Sequence, residues 1–210
     1  MDLFSIILQF LGRGGPFMYP IGIVLVLGLA ITLERWVFLT RAHRENRKMW
    51  EELQAMVGRG EVEQAGEVAA RSNSAVGKVL ALGLARAHGR SSRQEMESAM
   101  EESLLEVTPL LEKRTHYLAT FANIATLLGL LGTIIGLIQG FSAVANVDPA
   151  EKANLLSASI SIAMNTTAFG LMVAIPLLLL HTFLTTKTND LIDSLEMASV
   201  KFVNALSREG

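Results

Sequence analysis

The chain contains no cysteine in its 210 residues. That excludes disulfide staples, thiolate metal sites and cysteine nucleophiles, and it leaves the compartment open. A strong charge of either sign is also missing. The formal net charge is −2, and no basic stripe interleaved with aromatics is present, so a polyanionic or nucleic-acid partner is not expected. The four histidines, His43, His88, His116 and His181, are scattered without metal-ligand spacing. No GxSxG, P-loop, HExxH or dinucleotide fingerprint occurs. The chain is therefore expected to be no enzyme, and to need no cofactor and no metal. No internal repeat or low-complexity tract stands out.

What is present is hydrophobicity, half of all residues, and it is gathered into three blocks with the charge between them. Composition that switches rather than mixes is a membrane pattern. Block one spans 17–39, block two 118–145 and block three 155–184. Each is long enough to cross a bilayer, which takes roughly 20 residues at ~1.5 Å of rise each. Tyr19 and Trp36 sit near the ends of block one, as interfacial aromatics do. The first residues carry only Asp2 and Arg13, and no cleavage pattern follows. Block one is therefore expected to be a retained helix behind a short outward N-terminus, 1–16.

Lysine and arginine set the orientation. They cluster after block one (Arg35, Arg41, Arg44, Arg47, Lys48), before block two (Lys113, Arg114) and after block three (Lys187). The N-terminus and the joint at 146–154, where Asp148-Pro149 gives turn character, are expected to face outward. Residues 40–117 and 185–210 are expected on the cytoplasmic side. Met96, Met100, Leu104, Val107 and Leu111 recur at helical spacing. Ser91 or Ser92 would cap that helix, and Pro109 predicts a kink before block two. Leu191, Leu195, Ala198, Phe202 and Ala205 share one face of the tail. The fold class is thus an all-α membrane protein with three transmembrane helices. The second and third extend into a helical cytoplasmic domain, with shorter helices packed on the extensions. Glu34-Arg35 reads as an interface anchor with a local salt bridge.

Block two carries Gly129, Gly132, Gly136 and Gly140, small residues that let helix backbones approach closely in lipid, within one subunit or between subunits. Polar groups recur as well: Asn123, Thr126, Thr133 and Gln139 in block two, and Ser157, Ser159, Ser161, Asn165, Thr166 and Thr167 in block three. Singly, each hydroxyl reads as structural, because it can bond back to the i−4 carbonyl. Depth singles out Thr133 and Thr167. Both lie roughly 22–26 Å above the cytoplasmic boundary by helical rise, and on antiparallel neighbours they would form one polar layer. Asn165 and Thr166 are further polar candidates beside that path. No acidic or basic residue lies inside blocks two or three. A proton path needs a titratable group, and hydroxyls do not hold a proton near neutral pH. Any carboxylate must therefore come from another polypeptide. His181 lies near the cytoplasmic end and reads as interfacial. Pro176 reads as a kink in block three.

Two segments are familiar. Leu128-Gly129-Leu130-Leu131-Gly132-Thr133-Ile134-Ile135-Gly136 resembles the second-helix signature of the MotA/TolQ/ExbB proton-channel family. Thr167-Ala168-Phe169-Gly170-Leu171-Met172-Val173-Ala174-Ile175-Pro176 resembles its third-helix signature, and Glu34-Arg35 also fits. The helix count favours the TolQ/ExbB-like branch. The resemblance implies a homopentamer around the single transmembrane helices of an ExbD/TolR/MotB-like dimer, in a bacterial inner membrane. The partner would carry the proton-accepting aspartate, and Thr133 and Thr167 would be the pore threonines. Gly170 and Pro176, with the block-two glycines, fall to helix packing. One position departs from the pattern: where TolQ and ExbB members carry a glutamate five residues before the third-helix threonine, this chain has Ile162. The expected function is a proton-channel stator that turns proton motive force into mechanical work, for envelope energisation, Tol-type envelope maintenance or gliding motility. The alternative is a membrane scaffold that conducts nothing.

Overall fold

A computed structural model describes residues 15–87, 93–145 and 147–209. Ser91, Ser92 and His88, and residues 1–14 with Asp2 and Arg13, lie outside the described residues. Among the described residues six α-helices follow one another: α1 (Met18–Val57), α2 (Val62–Arg71), α3 (Ala75–Ala87), α4 (Arg93–Glu112), α5 (His116–Val144) and α6 (Pro149–Glu209). No strand occurs among the described residues. Three stretches, in α1, α5 and α6, are long and apolar enough to cross a membrane.

The chain divides into two compact units, at Leu33/Glu34, Lys113/Arg114 and Phe183/Leu184. These divisions fall close to where the sequence changes from apolar to charged. Unit one holds the apolar part of α1, all of α5 and the first part of α6. Between Tyr117 and Val147, and between Ala153 and Thr186, it has no Asp, Glu, Lys or Arg. Its outer surface is apolar: Tyr19, Ile23, Val26, Ile124, Leu127, Ile138, Met172, Ile175 and Leu179 are all exposed. A soluble domain does not present so continuous an apolar surface, whereas lipid or neighbouring membrane helices match it.

Unit two holds the rest of α1, helices α2 to α4 and the end of α6. It has a conventional core, in which Leu39, Leu53, Leu80, Leu84, Met100, Leu191, Leu195 and Phe202 are fully or almost fully buried. The α4 stripe expected from the sequence is found: Met96, Met100, Val107 and Leu111 are buried. The tail stripe is found at Leu191, Leu195, Ala198 and Phe202.

Three local features differ from the expectation. First, α1 does not stop near Leu39 but runs on to Val57, so the first helix extends as the others do. Second, α6 begins at Pro149 rather than near Leu155. The Asp148 carbonyl already accepts from the Glu151 and Lys152 N–H groups, at 2.9 and 3.3 Å. Pro149 thus occupies the first helical turn, where a missing N–H costs nothing and φ is preset. Third, α4 passes through Pro109 and ends at Glu112. The break comes at Lys113–Thr115, where Arg114 takes φ 66°.

That break has a holder. Arg35 is only 2% exposed. Its guanidinium donates to the Leu111 carbonyl and lies 4.6 Å from the centre of the Phe38 ring. Leu111 is in the last turn of α4, where carbonyls have no helical donor, and a cation there meets the negative end of the helix dipole. Arg35 is therefore a buried cap on another helix rather than a surface anchor. Nearby, the Lys187 ammonium donates to Thr40 Oγ1 at 2.7 Å and sits 5.7 Å from the Trp36 ring.

Candidate functional site

The site in unit one is built on glycine. On α5, Gly129, Gly132 and Gly140 are buried, and all four block-two glycines face α6. A methyl placed on Gly129 would lie 3.2 Å from Thr167 Cα, and on Gly136 3.0 Å from Ala163 Cβ. On Gly140 it would lie 2.6 Å from Ser159 Cβ, and on Gly132 it would run into Thr166 Cγ2. As the α5 number rises the α6 number falls, so the two helices pack antiparallel. Gly170 answers from the other side: its methyl would meet the Ala125 carbonyl oxygen at 2.7 Å and Gly129 Cα at 3.0 Å. Of the two readings open for the ridge, contact within one chain accounts for all four glycines.

This close approach brings Thr133 and Thr167 together. Their hydroxyls are hydrogen-bonded to each other. Thr167 Oγ1 also donates to the Gly129 carbonyl at 2.9 Å. Thr133 Oγ1 lies 3.2 Å from the same carbonyl and 3.1 Å from that of Ala163. Each hydroxyl has one proton and two lone pairs, so both protons are directed inward, to the helix backbones or to each other. Both threonines are nevertheless only half-buried, which leaves lone pairs available on the open side. The layer expected from helical depth is formed within a single chain, and it can accept hydrogen bonds from outside.

The other candidates fall elsewhere. Thr166 is buried, its hydroxyl bonds back to the Ile162 carbonyl at 3.0 Å, and its methyl fills the space at Gly132. Asn165 is half-buried and lies about 160° around α6 from Thr167 at ~100° per residue. Pro176 is exposed and α6 is continuous through it. Ile162 is exposed, and its Cγ2 is 3.4 Å from where Gly15 would carry a Cβ. At ~100° per residue it stands about 140° around α6 from Thr167, so it belongs to the α1 side rather than the threonine side. Phe17 reaches the same level, with its Cβ 3.2 Å from a methyl on Gly132. His181 is half-buried. Among the described residues, no three His, Asp or Glu side chains come together as metal ligands would.

One residue acquires weight only from the structure. Asn123 is exposed about two turns into α5, and no hydrogen-bond partner for its amide is found among the described residues. A carboxamide facing hydrocarbon is costly, so this face meets water or another protein. At ~100° per residue, Asn123, Thr126 and Thr133 share an arc of about 80° on α5. That periodicity was available in the sequence, but alternation with Leu127, Leu130 and Leu131 obscured it.

Comparison with known proteins places the chain in a family. Residues 71–197 match the model of the MotA/TolQ/ExbB proton channel family. A putative biopolymer transport protein ExbB homolog of Methanothermobacter thermautotrophicus is 30% identical over 200 residues, covering 94% of this chain and 69% of that protein. The putative biopolymer transport protein ExbB-like 1 of Synechocystis is 30% identical over 167 residues, covering 78% of this chain and 64% of its own length. The biopolymer transport protein exbB1 of Vibrio cholerae is 36% identical over 90 residues, 43% of this chain and 40% of that one. The chain thus spans between two fifths and about two thirds of these relatives.

Proposed function

We propose that this chain, which belongs to the MotA/TolQ/ExbB proton channel family, is the stator subunit of a motor driven by proton motive force. It acts as a homopentamer around a dimer of a single-span ExbD/TolR/MotB-like protein. The assembly sits in a bacterial inner membrane, with the N-terminus outward and the C-terminus in the cytoplasm. The observation that carries this reading is the Thr133–Thr167 pair, half-exposed in a wall with no carboxylate.

The chemistry follows from the donor balance. The two hydroxyl protons are directed inward, so the outward lone pairs can only accept. They are suited to a hydronium, a water or the protonated carboxyl of the partner, and they offer an ionised carboxylate no donor. The partner's acid is held at the layer while neutral and released when it ionises. An inward proton supplies ~2.3 kcal/mol per charge per 100 mV, and its passage drives relative rotation. Asn123 and Thr126 line the route between the layer and the cytoplasmic end. The machine driven is envelope energisation, Tol-type maintenance or gliding motility.

One observation favours the second reading. The threonines bond to each other and to both backbones, which is what a scaffold would use to staple α5 to α6. Electron cryo-microscopy of the chain copurified with a one-helix partner tests the assembly. A five-fold ring with Thr133 and Thr167 facing a partner acid supports the stator. A closed assembly with no central helix, the threonine faces turned into subunit contacts, supports the scaffold.

A further inference from the structure

In unit two, α1 beyond Arg41, the start of α3 and the later turns of α6 enclose an open cavity of about 220 Å³, with His43, Asn46, Arg47, Trp50, Met197 and Lys201 in its wall. A second cavity of about 230 Å³ shares Trp50 and Lys201 with it, so the two form one groove. No acidic residue lines either part. Asn46 is 3% exposed. Its Oδ1 accepts from the Val76 N–H at 3.2 Å, which fixes the amide orientation and leaves Nδ2 buried without a partner. A buried donor left unmet is costly, and the groove beside it carries cationic side chains and no acidic one, with Arg47 paired to Glu51 at 2.9 Å outside the lining. The lip is apolar as well: Met197 is 56% exposed.

The same chain carries the complementary surface. Along the outer face of α4, Glu101, Glu102 and Glu106 are exposed and form no ion pair among the described residues, and Leu105 among them is 72% exposed. A ring of more than two identical subunits closes through two different faces, each meeting the other on the next copy. If the ring axis runs along the helices, the two faces must also lie at one height. Counted at ~1.5 Å per residue from the start of unit two on each helix, Arg47 and Met197 lie about 20 Å along and Trp50 about 24 Å. By the same count Glu101 and Glu102 lie about 17–18 Å along and Ser98 about 22 Å. Charge agrees, and Glu101 and Glu102 stand within about 3 Å of the height of Arg47 and Met197, with Leu105 lower, about 12 Å along.

We propose that the acidic face of α4, centred on Glu101, Glu102 and Leu105, docks in this groove on a second copy of the chain. A glutamate carboxylate faces Arg47 and Lys201 on the positive side of the groove. The contact rests on the ring reading above and specifies which surfaces close the ring.

The absence of cysteine makes the test clean. The full-length double variant Ser98→Cys, Met197→Cys is oxidised in membranes and run on a denaturing gel. Docking predicts a disulfide ladder beyond the dimer, ending at the closed ring, with no ladder from either single variant. In the same background Lys201→Glu should cut cross-linking several-fold, and adding Glu101→Lys should restore it. An oligomer by light scattering that gives no ladder, with Lys201→Glu without effect, overturns the docking and leaves the ring standing. A monomer in both detergent and membrane overturns docking and ring together.

Discussion

Gly129 and Gly170 touch backbone to backbone. A methyl on Gly170 would lie 3.0 Å from Gly129 Cα and 2.7 Å from the Ala125 carbonyl oxygen. The obstructing atoms are main-chain, so neither helix can yield by turning a side chain. The contact is what allows Thr167 to reach the Gly129 carbonyl.

The first prediction concerns this contact. Gly170→Ala should destabilise the chain by about 1–3 kcal/mol, the usual range for overpacking, and lower its thermal midpoint in detergent. Gly22→Ala is the control. A methyl there meets nothing within 4 Å, and alanine is the better helix former by roughly 1 kcal/mol. Its midpoint should stay or rise.

The second concerns Arg35. Its guanidinium bonds the last-turn carbonyl of Leu111, and a hydrogen bond from a charged donor contributes about 1.5–3 kcal/mol. Arg35→Ala should lose about that much and speed hydrogen exchange at the end of α4, near Lys113–Thr115. By contrast Glu45→Ala removes only an exposed i,i+4 pair with Arg41. It should change stability by less than about 0.5 kcal/mol. Equal effects from the two would show that the buried cap is not formed.

The third concerns Asn123. Its amide has no partner among the described residues, so Asn123→Leu should leave the stability of the isolated chain unchanged or slightly raised. If the face lines an ion route, the same variant should reduce conduction severalfold in the assembled complex. Undiminished conduction would place Asn123 off the route.

The fold was legible wherever burial follows a strong period. The three apolar blocks, the α4 stripe and the tail stripe needed only hydropathy and spacing. The continuation of α1 was not seen. Past Arg35 it buries only Leu39, Asn46, Leu53 and Val57, too sparse a seam to stand out among charges. The signal that remained was electrostatic: Arg41–Glu45 and Arg47–Glu51 are i,i+4 pairs, a mark of an exposed helix. Arg35 was misread because its partner is 76 residues away, and no local pattern reports that. Thr133 and Thr167 could be set at one depth by counting residues. Their inward-directed protons could not be foreseen, because they depend on how closely two glycine-lined backbones approach.

Proton flux is the most direct test of the central claim. The chain and its one-helix partner would be reconstituted in vesicles, and uptake followed under an imposed potential. Wild-type complexes should conduct. The double variant Thr133→Ala, Thr167→Ala should conduct at least about tenfold less, a loss equivalent to ~1.4 kcal/mol in the barrier, while still assembling with the partner. Thr167→Ser, which keeps the hydroxyl, should retain most of the flux. Full conduction by the assembled double-alanine complex would contradict the account and leave the threonines as a staple between α5 and α6.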